Sequence, residues 1–293
     1  MTYKPDPDSE LSLWNEEEGF YFDAIQWGTS SQQLPIRSLV GLIPLYATLT
    51  LEPGTINRFP GFKKRMEWFM DNRSEMSKRN MANMKVPGKG DRRLLALADK
   101  DRLVRILERM LDEGEFFSDF GIRSYVPHLA LFSNCWCLTT SRLSLYHKDH
   151  PYSMDVNGQN YEVAYWPGDS HSGMFGGNSN WRGPIWLATN FLLIESLQRF
   201  HQYYGDDLQV ECPSGSGDFM PLNKVAEEIQ HRIIHIFGKD MDGRRATNGG
   251  NTKLDRDPHF RDYVFFHEFF HGNDGSGLGA SHQTGWSVYL TFE

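Results

Sequence analysis

Segments with the 3.6-residue period of a helix recur along this chain, and long glycine-rich loops deliver several of them into their first turns. Residues Lys100 to Glu113 carry Leu103, Ile106, Leu107, Met110 and Leu111 on one face, and Gly114 stands where such a helix would stop. The same period predicts helices around 36–51, from Phe62 to about Met84, from Pro184 to Tyr204 and over 221–237. In the Pro184 segment, the proline suits a first helical position, and Trp186, Leu193, Leu197, Phe200 and Tyr204 fall on the buried side. In the last, Val225, Ile229, Ile233 and Phe237 turn inward, which leaves His231 and His235 as solvated neighbours rather than a metal pair. Strand signals are few, with Asn157-Gly158 the clearest hairpin turn. The loop at 168–180, G-D-S-H-S-G-M-F-G-G-N-S-N, has to double back closely, as its glycines permit. About six or seven helices with loops gathered before their N-termini predict an all-α fold, a toroid of helical hairpins with a ligand cup at one end. Ile36-Arg37-Ser38-Leu39-Val40 and Ile122-Arg123-Ser124-Tyr125-Val126 share the pattern I-R-S-x-V ahead of apolar segments, as a repeated loop-then-helix unit would.

Composition narrows the partners. The 293 residues carry 30 Lys and Arg against 38 Asp and Glu, a net charge of −8, so no basic excess exists to neutralise nucleic-acid phosphates. Three cysteines (Cys135, Cys137, Cys212) form neither a disulfide framework nor a zinc set, which points to a reducing compartment. Residues 1–10 are polar and proline-bearing, without the apolar core of a signal peptide, and are expected to be flexible. A cytoplasmic location is the expectation from these two features. No apolar stretch is long enough for a membrane span. Aromatic residues make up 14% of the chain, and several of its eight tryptophans stand beside Gly, Asn, Asp or Arg. Aromatic faces beside hydrogen-bonding groups suit sugars, although any one of these tryptophans alone is explained by a core.

The closing stretch from Tyr263 carries the chemistry. Glu268 sits in a run of aromatic and β-branched residues between His267 and His271, followed by Gly272, Gly275, Gly277 and Gly279 and then by His282, Gln283 and Trp286. A carboxylate among aromatics is either paired or functional. His267-Glu268-x-x-His271 matches the zinc-peptidase motif, in which one helix aligns both imidazoles. The glycine-rich turn after His271 would end that helix, and Asp274 and Gly277 stand where the extended motif needs Gly and His. G-S-G-L-G-A matches a dinucleotide fingerprint, but too little chain follows it for a βαβ unit. Neither a metal nor a cofactor is therefore expected.

Four segments together resemble glycoside hydrolase family 63, the mannosyl-oligosaccharide glucosidase-like enzymes, in their large microbial form. They are L-W-N-E-E-E-G-F-Y-F-D from Leu13, F-G-I-R-S from Phe120, G-M-F-G-G-N-S-N-W-R-G-P-I-W from Gly173, and F-H-G-N-D-G-S-G-L-G-A-S-H-Q-T-G-W from Phe270. The resemblance runs from Leu11 to the end. It implies an (α/α)6 toroid that hydrolyses α-glucosides or oligosaccharides with inversion. Carried over, it makes Glu268 the general base, Trp181 and Trp186 the walls of the sugar subsite, and Arg182 and Gln283 polar contacts. Tyr21, Asp23 and Trp286 are added as sugar contacts. An inverting glycosidase needs a second carboxyl group as acid. In this family the acid is an aspartate in an upstream motif with no counterpart here. Residues 11–293 are thus expected to be the C-terminal part of the catalytic domain, lacking the general acid and completed by the missing N-terminal half. The alternatives are a non-catalytic carbohydrate-binding remnant and the zinc peptidase.

Overall fold

The computed structural model describes residues 12–28, 30–72, 86–124, 152–156, 158–169, 183–282 and 284–287. The segment expected to be flexible at 1–10, the end of the helix expected toward Met84, most of the 168–180 loop, and Trp181, Arg182 and Gln283 lie outside them. The chain divides into two compact units. Unit 1 comprises Met1–Pro35, Val40–Glu108 and Leu192–Glu227, and unit 2 comprises Ile36–Leu39, Arg109–Phe191 and Glu228–Glu293.

The all-α toroid is not what the chain forms. Among the described residues, seven α-helices share the chain with fourteen short strands, which pair into seven antiparallel two-stranded ribbons. After the three ribbons of the first six strands, β7 (Phe117–Ser118) pairs with β8 (Gly121–Ile122), β9 (Tyr152–Val156) with β10 (Gln159–Val163), and β11 (Gln209–Glu211) with β12 (Phe219–Pro221). The strands are two to five residues long, so none spans enough sequence to compete with a helical period by pattern alone. Residues 36–51 illustrate the override. The expected helix is instead a 3-10 helix over Leu39–Tyr46 with Pro44 inside it, and then a strand over Thr48–Leu51. Pro44 removes an amide donor, and the β-branched Thr48 and Thr50 favour the extended form.

Unit 1 opens with two ribbons. β1 (Trp14–Asn15) pairs with β2 (Phe20–Tyr21), and β3 (Ala24–Trp27) with β4 (Ser30–Gln33). The Asn15 carboxamide caps the acidic turn by accepting the amides of Glu17 and Glu18, both at 3.0 Å. β5 (Thr48–Leu51) pairs with β6 (Arg93–Ala96), and between them lie α1 (Pro53–Arg58) and α2 (Pro60–Asn72). α3 (Lys100–Met110) is the helix that its periodicity predicted. The Asp99 carboxylate starts it by accepting the Arg102 amide at 2.9 Å, and Leu103, Ile106 and Leu107 are fully buried.

α4 (Leu187–Tyr204) buries Leu193, Ile194, Leu197 and Phe200 in unit 1. Its last inward residue is Tyr203 rather than Tyr204, with the Tyr203 hydroxyl donating to the Val86 carbonyl at 2.9 Å. α5 (Leu222–His235) buries Val225, Ile229 and Ile233, while Phe237 lies beyond its end and is half-buried. His231 and His235 are exposed, as the solvated reading expected.

In unit 2 the two I-R-S segments lie side by side, the Leu39 amide donating to the Ser124 carbonyl at 3.3 Å. Both arginines are buried, and each is satisfied differently. Arg37 donates to Glu115 Oε1 at 2.7 Å, and Arg109 reaches the same oxygen at 2.9 Å. Burial pushes the Glu115 carboxyl up, and the two guanidiniums offset part of that. Arg123 instead donates to the backbone carbonyls of Glu113 at 2.7 Å and Gly272 at 3.4 Å and also meets the Tyr165 side chain.

Candidate active site

Glu268 lies on a strand, not a helix. β13 (His267–Phe270) pairs with β14 (Gly277–Ser281) as an antiparallel hairpin. His267 faces Ser281 and Phe269 faces Leu278, so Gly279 and Ala280 together oppose the single residue Glu268. This is a β-bulge whose first residue, Gly279, has φ +66°, a conformation natural to glycine. Glu268 is half-buried, and its Oε2 accepts the Ala280 amide at 3.4 Å. A Cβ at Gly279 would stand 2.8 Å from that carboxylate oxygen and 2.8 Å from the ring of Phe269. Successive strand residues normally diverge to opposite faces. At this bulge the Glu268 carboxylate and the Phe269 ring converge on one glycine.

Phe269 extends this point into an aromatic wall. Trp186 stacks on Phe269 with ring centres 4.9 Å apart, and Trp286, in the short helix Thr284–Ser287, meets Trp186 edge-on at 5.1 Å. Trp186 is brought there by a backbone ladder. Ile185 exchanges both hydrogen bonds with Phe270, at 2.8 and 3.0 Å, and on its other side bridges Arg123. Ser124 secures the approach: its hydroxyl donates to the Pro184 carbonyl at 2.6 Å and accepts the Gly183 amide at 2.9 Å. Gly183 has to be glycine, because a Cβ there would lie 1.5 Å from the Trp166 carbonyl oxygen. The second I-R-S segment therefore positions the wall.

The histidines beside Glu268 have other roles. Burial, with His282 next in effect, holds the half-buried His267 below the usual imidazole range. His271 Nδ1 lies 2.9 Å from Asp274 Oδ1, three residues on. The zinc-peptidase motif requires His267 and His271 on one helical face, and an extended strand over His267–Phe270 does not supply that geometry. Among the described residues no group of three or more His, Cys, Asp or Glu side chains is arranged to hold a metal ion.

Of the residues expected to touch sugar, Glu268, Trp186 and Trp286 gather in unit 2. Tyr21 and Asp23 belong to unit 1. Tyr21 is buried with its ring edge-on to Trp14 at 4.9 Å, and burial pushes its phenol up. Asp23 is half-buried, and its carbonyl accepts the Leu34 amide at 2.7 Å. From the sequence alone, Phe269 and Gly279 have no role at the site. Their signal was present in the alternate glycines Gly277 and Gly279, a two-residue spacing that suits a strand where a neighbour approaches closely.

No family model matches the chain. It is 56% identical over 281 residues to the uncharacterized protein YMR196W of Saccharomyces cerevisiae, a match covering 95% of this chain and 24% of the yeast protein. The chain thus spans about a quarter of the length of this curated relative. Among the described residues no helix is long and apolar enough to cross a membrane.

Proposed function

We propose that Glu268 is the general base of an inverting α-glycosidase acting on α-glucosides or oligosaccharides. The observation that carries this reading is the convergence of the Glu268 carboxylate and the Phe269 ring on Gly279, at the edge of the Trp186–Phe269–Trp286 wall. A half-buried carboxylate held by a single weak backbone donor can accept a proton from water. Trp186 and Phe269 are buried behind this wall, and the half-buried Trp286 that they support is the ring able to meet the apolar face of a sugar. The resemblance of the four quoted segments to glycoside hydrolase family 63 supports the same assignment.

In this reaction water attacks the anomeric carbon as Glu268 takes its proton. The glycosidic C–O bond breaks, and a second carboxyl group protonates the leaving oxygen from the other side of the sugar, with the two groups about 6.5–9.5 Å apart. We assign the acid to the rest of a longer enzyme, since the acid motif of the resembled family has no counterpart in these residues.

The reading is tested by incubating a full-length enzyme carrying this segment with an α-linked glucose disaccharide and following the anomer released by NMR. The β-anomer of glucose is expected first. Release of the α-anomer would replace inversion by retention, and sugar binding without any release would favour a carbohydrate-binding protein.

A further inference from the structure

At the turn end of the Glu268 hairpin, unit 2 holds an open cavity of about 690 Å³, the size of a small-molecule site. His235, Lys239, Arg244 and Arg245 line it. Two carboxylates line it as well, and each has its Oδ1 held. Asp240 Oδ1 accepts the amides of Asp242 at 2.9 Å and Arg244 at 2.8 Å. Asp274 Oδ1 lies against His271 and accepts the Ser276 amide at 2.9 Å.

The cations are less committed. Lys239 Nζ stands 3.8 Å from Asp262, at the outer limit of an ion pair. Arg245 donates from Nη1 to the Phe237 carbonyl, while its Nε has no partner among the described residues. The exposed Arg244 has only backbone hydrogen bonds among them, so its guanidinium fork is free to bind. Phe120 supplies an apolar wall, and Gly249 and Gly250 contribute backbone without side chains.

We propose that this cavity binds a phosphorylated small molecule of about sugar-phosphate size. Guanidinium and ammonium groups around one space match the several oxygens of a phosphoryl group, and arginine does so with two parallel bonds. The cavity exceeds what an inorganic ion needs, leaving the Phe120 side for the organic part. Asp274 and Ser276 belong to the turn joining β13 and β14, so an occupant touches the hairpin that carries Glu268. The site rests on its own residues and stands whether or not Glu268 is a glycosidase base.

Calorimetric titration of the 293-residue chain with glucose 6-phosphate, inorganic phosphate and glucose tests it. Glucose 6-phosphate is expected to bind saturably, phosphate more weakly, and glucose not at all in the same range. Arg244→Ala and Lys239→Ala should each weaken glucose 6-phosphate by about tenfold or more, the effect of losing a hydrogen bond to a charged group. Both side chains are exposed, so circular dichroism should show unchanged folding. Lys63→Ala, in unit 1, should bind as the unaltered chain does. Failure of the folded chain to bind either phosphate compound overturns the proposal, as does equal weakening by Lys63→Ala. Equal affinity for phosphate and glucose 6-phosphate overturns the sugar-phosphate size and reduces the site to one for a free oxyanion.

Discussion

Glu115 and Glu268 stand in the same unit in opposite surroundings. Glu115 is 2% exposed, with one oxygen held between Arg37 at 2.7 Å and Arg109 at 2.9 Å. Glu268 is half-buried, and among the described residues its carboxylate has a single hydrogen-bond partner, the Ala280 amide at 3.4 Å. A buried carboxylate costs several kcal/mol to desolvate unless cations face it, and Glu115 has two. Its charge is spent on holding the first I-R-S segment. The charge of Glu268 is unspent, and it sits where the bulge aims it beside an aromatic ring. Losing the first should therefore unfold, and losing the second should disarm.

The largest effect separates them at once. Glu115→Ala leaves Arg37 buried without its carboxylate and should cost about 3–5 kcal/mol in a urea unfolding experiment. A loss within about 0.5 kcal/mol, as for an ordinary surface site, would mean that the buried network does not hold the unit together.

Next in size is Gly279→Ala. A side chain at φ +66° costs about 1–2 kcal/mol, and the added methyl would press on the Glu268 carboxylate and the Phe269 ring. It should lower both stability and turnover, whereas Glu115→Ala should act through stability. A variant that melts lower but hydrolyses at the unaltered rate would uncouple the bulge from the chemistry.

A smaller effect distinguishes the two environments by pH. Burial lowers the His267 pKa from its ordinary 6.5, so the unfolded chain takes up a proton there before the folded one does. The stability tied to His267 is complete above about 6.5 and is lost as pH falls from there through the folded value. Melting temperatures recorded down a pH series should show this decline, and His267→Phe should flatten it. An unchanged slope in that variant would assign the decline to another group.

The sequence showed some of this and hid the rest for physical reasons. The helices at Lys100–Met110, Leu187–Tyr204 and Leu222–His235 are long enough for their apolar period to dominate, and each lies where the pattern predicted. The ribbons do not, because strands of two to five residues show too little alternation to register. That is why an all-α toroid was the wrong expectation. Glu268 was legible as a carboxylate among aromatics, but the bulge was not, since it depends on the register of β14 against β13. Phe269 read as one apolar residue among many until Ile185 paired with Phe270 and brought Trp186 onto its ring. Tyr21, expected as a sugar contact, packs edge-on against Trp14 and is as buried as Trp186, which its sequence neighbours did not reveal. The burial of Arg37 was equally hidden, because its partner Glu115 lies far along the chain and looks solvated in an acidic run.

The central claim is that Glu268 serves chemistry rather than structure, and one substitution measures both. Glu268→Gln, made in a full-length enzyme carrying this segment, keeps the size of the side chain and its contact with the Ala280 amide. Its unfolding free energy should stay within about 0.5 kcal/mol of the unaltered protein. Hydrolysis of an α-linked glucose disaccharide should fall by about 10²–10⁴-fold, the contribution of a general base. A variant that retains more than about a tenth of the turnover, or that loses stability on the scale expected for Glu115→Ala, would contradict the account.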